Sequence, residues 1–298
     1  MATPNHSLRP IFATIIGIAF FSAMDAVMKS ASLALGAYSA FFLRCLIGAI
    51  IIGPVWWWRV RKWPERAALK VHLTRGIVVA FMGWTFFFAL VRLPLAEAIA
   101  LSFIAPLIAL YLAAILLGEA IQPKAIVGAL LSLAGVAVIV SGRLSQTEMS
   151  ANAIIGLAAL LLSAVLYAWN LILQRQQALL ASPAEVSAFQ NSIVSLTLLG
   201  FAPFLLVLPS GSAQCTEWLT LIAGALFAIA AALFLSWAYA RAEAQALVPI
   251  EYTGFLWAAL FGWIFFSENI SITTVSGAVL IVIGCWIAVR KDKMQSPP

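Results

Sequence analysis

The feature that most constrains this chain is a series of apolar stretches, each about 20 residues long, separated by short polar breaks. They occupy residues 10–30, 36–57, 73–91, 96–117, 125–142, 152–173, 186–208, 218–240, 246–266 and 272–289. A helix needs about 20 mostly apolar residues to cross the hydrocarbon core of a bilayer. Because such stretches recur along the whole sequence, we predict an all-α integral membrane protein with ten transmembrane helices.

The composition also indicates lipid as the solvent. The chain is 64% hydrophobic and only 9% charged, whereas about a quarter of the residues of a typical soluble domain are charged. A membrane β-barrel would show segments of about ten residues in which apolar and polar positions alternate. The sequence lacks this alternation, so it favours helices.

The distribution of basic residues predicts how the chain is oriented. With the N-terminus in the cytoplasm, 13 of the 17 basic residues face the cytoplasm. These are Arg9, Arg59, Arg61, Lys62, Arg66, Lys70, Arg75, Lys124, Arg175, Arg241, Arg290, Lys291 and Lys293. Cytoplasmic loops of membrane proteins carry an excess of Lys and Arg. We therefore predict a multi-pass protein of the cell inner membrane with both termini in the cytoplasm, and we expect no nucleic-acid partner.

The second half of the sequence repeats the first. A shift of 149 residues, without gaps, superimposes residues 89–140 on 238–289. It matches Ala89 with Ala238, Arg92 with Arg241, Glu119 with Glu268, Ile121 with Ile270, Gly128 with Gly277, and Gly135 with Gly284. A fixed internal period indicates a duplicated structural unit. We therefore divide the chain into repeats at 1–149 and 150–298.

Each repeat contains five predicted spans. Because five is odd, equivalent points of the two repeats enter the membrane from opposite sides, which predicts an inverted repeat around a central cavity. Inverted repeats are typical of secondary transporters that work by alternating access. A duplicated scaffold without transport is the alternative. The paired glycines in register predict close helix packing, since small residues let helix backbones approach in lipid.

The segments "PLAEAIALSFIAPLIALYLAAILLGE", "GALLSLAGVAVIV" and "FFLRCLIGA" resemble the EamA-type drug/metabolite transporters. The resemblance covers essentially the whole chain and implies ten helices in two inverted five-helix repeats around a central cavity. It also implies movement of small metabolites, with the aromatic and neutral amino-acid exporters closest in character. Members of this superfamily carry chemically diverse cargo, so the pattern does not name the substrate.

Arg44 is the most central charge in a predicted span. Charged residues at membrane depth are costly, which makes each one a functional candidate. A guanidinium offers a fixed fork of donors that suits a substrate carboxylate. The alternative is a structural ion pair with Asp25 or Glu251, because a buried arginine needs a partner in either case.

Glu251 follows Pro249 near the inner end of the ninth span, beside Tyr252. Proline removes a helix hydrogen bond, and a carbonyl freed in this way is tolerated at membrane depth only against protein or a wet cavity. We therefore expect Glu251 to face the cavity. It would serve there as a proton acceptor, as a partner for a substrate amine or as the counter-charge of a basic side chain.

Asp25 and Lys29 are four residues apart with the acid first, a spacing that favours a pair on one helix face. We predict that they form a gate or an ion pair near the outer mouth. Uncharged polar and aromatic side chains complete the predicted cavity wall: Ser102, Tyr167, Trp169, Asn170, Gln190, Trp237 and Tyr252. Aromatic walls with few charges suit neutral or aromatic amino acids better than phosphorylated sugars.

The motifs of several other classes are missing from the sequence. It has no H-E-x-x-H, no G-x-S-x-G and no P-loop, so we predict no catalytic residue, metal or cofactor. We expect an exporter of neutral or aromatic amino acids that functions as a monomer, with protons as a candidate coupling ion. The alternatives are uptake or export of a vitamin, a nucleoside-like compound or a drug, and, from another class, an intramembrane enzyme.

Overall fold

The computed structural model describes residues 8–105, 108, 123–144, 151–241, 247 and 253–289. Regular structure within these residues is helical throughout. The first repeat contains α1 (Arg9–Leu35), α2 (Ala37–Val60), α3 (Arg66–Leu90), α4 (Leu95–Ser102) and α5 (Pro123–Leu144). Gly36 alone separates α1 from α2, and its φ of 81° lets the chain reverse there without a longer linker.

The second repeat contains α6 (Ala151–Leu180), α7 (Pro183–Leu199), α8 (Gln214–Tyr239), α9 (Gly254–Phe266) and α10 (Ile272–Val289). A short helix at Ala202–Leu205 and a 3₁₀ turn at Gly211–Ala213 lie between α7 and α8. The prediction of one continuous span over 186–208 is therefore wrong. The α-helix ends before Gly200, and Pro203 starts a separate turn, because a proline fits only the first turn of a helix.

Within the described residues, five segments are long and apolar enough to cross a membrane: Arg9–Leu35, Ala37–Val60, Arg66–Leu90, Ala151–Leu180 and Gly211–Tyr239. Three shorter apolar helices in the same part of the chain cover Ile126–Ile139, Gly254–Phe266 and Ile272–Gly284. Each predicted segment overlaps a described helix, although the described helices in the fourth and the ninth segment cover only 95–102 and 254–266. Large apolar side chains such as Ile50 (66% exposed) and Trp263 (63%) cover the outer surface. A surface of this kind is suited to lipid.

Helix pairing between the halves follows the sequence repeat. The shift of 149 residues carries the range of α3 onto α8 and most of α1 onto α6. In the structure, α1 packs extensively against α8, and α3 packs in the same way against α6. The first helix of each half therefore contacts the third helix of the other half. The pairs α2 with α7 and α5 with α10 join helices that are each other's equivalents.

The contact between α5 and α10 is the most extensive of these and is built on glycine. A Cβ atom on Gly135 would lie 2.6 Å from the backbone oxygen of Gly277, and the reciprocal distance is also 2.6 Å. Further along α5, Gly142 lies against Thr273. Residue numbers rise on α5 as they fall on α10, so these equivalent helices are antiparallel. Close packing at Gly135 and Gly277 confirms the role predicted for them.

Candidate functional site

A cavity of about 210 Å³ lies between the two halves. Helices α1 to α4 and α6 to α9 all contribute to its wall, so neither repeat encloses it alone. Its polar and charged lining consists of Ser22, Asp25, Arg44, Arg75, Ser102, Ser163, Tyr167, Asn170, Gln174, Ser187, Gln190, Asn191 and Ser236. The structure thus brings Asp25, Arg44, Ser102, Tyr167, Asn170 and Gln190, all predicted from the sequence, to one cavity.

Asp25 and Arg44 are buried charges whose hydrogen-bonding capacity is incompletely used. Asp25 is 1% exposed, and neither of its carboxylate oxygens has a hydrogen-bond partner. Arg44 donates from Nη2 to Cys45 Sγ at 2.9 Å and lies 5.0 Å from the centre of the Phe41 ring, while its Nε has no partner. Asp25 and Arg44 line the same cavity without forming a direct hydrogen bond or salt bridge to each other. This arrangement leaves an acceptor and a donor for a small ligand.

Lys29 does not pair with Asp25, contrary to the spacing argument. Its ammonium donates to the backbone oxygen of Leu93 at 2.9 Å and forms an ion pair with Glu268 Oε1. The other oxygen of Glu268 accepts the N–H of Leu95 at 2.8 Å. Glu268 lies in the connection between α9 and α10, and its carboxylate also accepts the first N–H of α4. This second hydrogen bond fixes Glu268 as a partner for Lys29 better than Asp25 is fixed. The ion pair therefore joins the two repeats.

Arg75 is a site residue that the sequence interpretation missed. The basic-residue count placed it with the cytoplasmic loop, but α3 begins at Arg66, and Arg75 is 6% exposed inside that helix. Its Nε donates to Asn170 Oδ1 at 2.9 Å, Nη2 donates to Gln174 Oε1 at 3.2 Å, and Nη1 donates to Gln177 Oε1. We call these three acceptors, Asn170, Gln174 and Gln177, the amide cradle. Their spacing of four and three residues on α6 was the signal that could have revealed it.

His72 lies one turn before Arg75 on α3 and is fully buried. Its Nε2 is 3.1 Å from Glu185 Oε1, its Nδ1 faces the Gln177 amide nitrogen, and its ring stacks on Phe189 at 4.6 Å. Neither His72 nor Gln177 lines the cavity. Gln177 accepts a hydrogen bond from Arg75, and His72 contacts Gln177.

Two aromatic residues predicted for the cavity lie elsewhere. The lining positions on α6, Ser163, Tyr167 and Asn170, are spaced at three or four residues. Trp169 is out of this phase because each residue turns the helix by about 100°, and it is 46% exposed on the outer surface. Trp237 stacks with the guanidinium of Arg241 at 4.3 Å and is not part of the cavity wall. Both assignments are therefore wrong for this cavity.

Glu251 and Tyr252 lie outside the described residues, so their predicted position in the cavity remains a prediction. Within the part of the chain that the structure describes, no group of three His, Cys, Asp or Glu side chains could hold a metal ion. The chemistry available in the cavity is thus that of charges, amides, hydroxyls and aromatic rings. Such groups can bind a small polar molecule.

Comparison with known proteins identifies a family. The model of the EamA-like transporter family matches residues 8–141 and again residues 154–290. The two matches agree with the internal repeat and confirm the resemblance at the level of the family. A solved crystal structure shares the fold, with a TM-score of 0.63 and 24% sequence identity over 93% of this chain and 96% of the other.

Three relatives have named cargo. The pseudopaline exporter of Pseudomonas aeruginosa is 29% identical over 92% of this chain and 93% of its own length. A riboflavin transporter of Brucella anthropi is 26% identical over 76% of this chain and 78% of its own. An S-adenosylmethionine uptake transporter of Rickettsia felis is 22% identical over 94% and 92%. These relatives are transporters of small metabolites that differ in cargo and in direction.

Proposed function

This chain belongs to the EamA-like transporter family, and from that membership we propose that it exports small zwitterionic metabolites, chiefly neutral or aromatic amino acids. At the level of the family it is a multi-pass membrane protein and a secondary transporter of small metabolites rather than an enzyme. The cargo, the direction and the mechanism are the parts that we propose here.

The observation that carries the proposed cargo is the pair of incompletely satisfied charges in one cavity, Asp25 and Arg44. A buried charge without enough partners costs several kcal/mol, roughly, even after the protein relaxes. A zwitterion supplies both missing partners, because its ammonium can donate to the Asp25 carboxylate and its carboxylate can accept from Arg44. The guanidinium suits this task, since its planar fork matches a carboxylate.

The apolar part of the wall supports a neutral or aromatic side chain on the cargo. Phe41, Phe86, Phe87 and Phe103 line the cavity together with Tyr167. Aromatic rings provide a large apolar surface and favourable edge or stacking contacts with another ring. A cargo with several phosphates would instead need a group of cations, and the lining offers only Arg44 and Arg75 among its described residues.

We propose alternating access between two inverted repeats as the mechanism. The antiparallel packing of the equivalent helices α5 and α10 supports the inversion. The exchange of partners, α1 with α8 and α3 with α6, supports a pseudo-two-fold relation between the halves. In such an architecture, exchanging the conformations of the two halves turns an inward-open cavity into an outward-open one. One chain supplies both halves, which supports a transporting monomer.

Export across the inner membrane, with both termini in the cytoplasm, is the proposed direction and placement. The excess of basic residues in the predicted cytoplasmic loops supports the orientation. Similarity to an exporter over 92% of the chain supports the direction. Glu251 is proposed as a second cavity carboxylate that binds a cargo ammonium or a coupling proton. Glu251→Gln should then change the pH dependence of transport in a folded protein, and an unchanged profile would remove this role.

Counterflow in proteoliposomes tests the proposed cargo. Vesicles loaded with unlabelled phenylalanine or leucine should accumulate the labelled amino acid from outside, with and without a proton gradient. Riboflavin and S-adenosylmethionine, added as competitors, separate the amino-acid proposal from the cargoes of two relatives. If no neutral amino acid shows counterflow while either competitor is transported, the amino-acid assignment is rejected and the family assignment stands.

A further inference from the structure

A second polar cluster lies behind the cavity where α3, α6 and α7 meet. It contains His72, Arg75, Gln177 and Glu185, and only Arg75 of these also lines the cavity. His72 and Gln177 are 0% and 1% exposed. Buried polar networks of this kind have few alternative arrangements, because each donor needs an acceptor. The cluster therefore connects the cavity to a titratable side chain through defined hydrogen bonds.

The orientation of the Gln177 amide is fixed by Arg75. An arginine has donors only, so the atom of Gln177 that faces Arg75 Nη1 must be the acceptor oxygen Oε1. The amide nitrogen then faces the other way, toward His72 Nδ1. Since the amide nitrogen can only donate, His72 Nδ1 must accept. The neutral imidazole consequently carries its proton on Nε2 and donates it to Glu185 Oε1.

A second proton on His72 conflicts with this arrangement. Protonation at Nδ1 would place two donors, His72 Nδ1–H and the Gln177 amide, against each other. Rotating the amide by half a turn gives His72 an acceptor, but it turns the amide nitrogen toward Arg75. His72 and Arg75 approach Gln177 from opposite ends of its amide, so one oxygen cannot serve both. Protonating His72 thus removes one of the three amide acceptors of Arg75.

The charged groups near His72 come from two helices, and they differ from His72 in their exposure. Within the described residues, the charged groups that act on His72 are Glu185 from α7 and Arg75 from its own helix. Helix α6 contributes the uncharged Gln177, and Trp56 of α2 packs at 5.0 Å on Phe189, the ring on which His72 stacks. The side chain of Glu185 is 12% exposed while that of His72 is 0% exposed. Glu185 is thus the more exposed of the two and offers a proton route to His72 on that side.

We propose that His72 is a positioning residue whose protonation releases Arg75 from Gln177 and makes its guanidinium available to the carboxylate of the cargo. This inference rests on the proposed function, since it assigns Arg75 to a carboxylate-bearing cargo. It predicts tighter cargo binding as pH falls on the side that Glu185 faces. Histidine is suited to this role because its imidazole exchanges a single proton between a neutral and a cationic form. Exchange of the proton on one side makes His72 a regulator of affinity, separate from any coupling ion.

The tautomer of His72 is directly measurable without cargo. The chain has two histidines, so His6→Gln leaves His72 as the only one. Nitrogen-15 NMR of the histidine-labelled H6Q protein in nanodiscs should show a neutral ring protonated at Nε2. A ring protonated at Nδ1 would overturn the proposal, because Gln177 could then serve both neighbours in every state.

Binding of labelled phenylalanine at different pH values tests the consequence. Wild type and H6Q should bind about threefold to tenfold more tightly below the titration of His72 than above it, as expected for gaining or losing one hydrogen bond. His72→Gln should lose most of this pH dependence while counterflow persists. Gln177→Met should do the same with His72 still present, which covers the case that His72→Gln does not fold.

The outcomes separate the two proposals. If wild type shows phenylalanine counterflow and both variants keep the full pH dependence, the inference about His72 is wrong and the proposed function stands. If wild type shows no counterflow at any pH, the proposed cargo is rejected, and the tautomer spectrum still decides whether the Gln177 arrangement exists. Retained counterflow with a flat pH profile in both variants supports both proposals.

Discussion

The two charged regions of the cavity are equally buried but differ in how well their polar atoms are satisfied. Arg75 is 6% exposed and donates to three side-chain amides of α6. Asp25 is 1% exposed and accepts no hydrogen bond at all. Because buried polar groups in native proteins almost always have partners, the protein alone satisfies the Arg75 region while His72 is neutral. The Asp25 region, with Arg44 beside it, leaves polar atoms available to a ligand.

This difference assigns the two regions to different tasks. The Arg75 cradle joins α3 to α6, so its hydrogen bonds hold together helices from the two repeats. The Asp25 and Arg44 region has no comparable structural contact, and its charges reduce stability until cargo supplies the missing partners. Substitutions at the first region should therefore chiefly affect stability, with an effect on cargo binding only when His72 is protonated, and substitutions at the second region should chiefly affect transport. The predictions below test this contrast, beginning with the largest effect.

Arg75→Met should destabilise the protein by about 3 kcal/mol or more. The substitution leaves the oxygens of Asn170, Gln174 and Gln177 without their donor, and each unsatisfied buried acceptor costs about 1–3 kcal/mol. Equilibrium unfolding in mixed micelles measures the change. Arg241→Met is the matched control, since Arg241 is exposed and, among the described residues, its guanidinium donates to Trp237 of the preceding helical turn. Equal stability of the two variants would contradict the structural role of the cradle.

Asp25→Asn should reduce transport by about tenfold to a hundredfold, which corresponds to losing one charge-assisted hydrogen bond to cargo. Stability should stay the same or increase, because an unpaired buried charge is removed. Counterflow and unfolding are measured on the same preparation. Glu217→Gln is the control, since Glu217 also has a buried oxygen without a partner but does not line the cavity. If Asp25→Asn lowers stability as Arg75→Met does, the contrast between the regions fails.

Lys29→Met should lower the free energy of unfolding by about 1.5 kcal/mol, which is the lower end of the range for hydrogen bonds to charged groups. Lys29 is satisfied like Arg75, but its partner Glu268 is less buried and keeps the N–H of Leu95 as a second donor. In the double variant with Glu268→Gln, the combined loss should be smaller than the sum of the single losses, because contacting residues are coupled. Additive losses in the unfolding free energy would show that the pair contributes nothing to joining the repeats.

The sequence was informative wherever the signal was periodic. Apolar stretches predicted the helices, and the fixed shift of 149 residues predicted equivalent halves, which the two family matches support. Arg44 and Asn170 were identified because polar residues are rare in apolar stretches. Arg75 was missed because it lies only two residues inside the predicted third stretch (73–91) and was counted with the basic residues of the loop before it, whereas the helix already begins at Arg66. Helix ends carry little apolar signal, so a basic residue at such a position is compatible both with the end of a helix and with the loop beside it.

Partners that are distant in the sequence explain the other errors. Spacing favoured Asp25 for Lys29, but the residue that pairs with Lys29 is Glu268, 239 positions away. Nothing local in the sequence indicates that the connection between α9 and α10 reaches α1. The repeat had singled out Glu268 through its match with Glu119, which was a usable signal. A repeated carboxylate at a helix end predicts a shared contact, whereas the sequence alone does not name its partner.

Trp169→Leu should change the free energy of unfolding by no more than about 0.5 kcal/mol, which is the usual range for surface substitutions. It should also leave the rate of counterflow unchanged. Trp169 is 46% exposed and lies on the outer face of α6, two residues after the cavity-lining Tyr167. Tyr167→Leu, the matched variant on the same helix, should weaken counterflow because it changes the cavity wall. If Trp169→Leu impaired transport as strongly as Tyr167→Leu, α6 would have to rotate during the cycle. The separation of lining and outer positions would then hold for one conformation only.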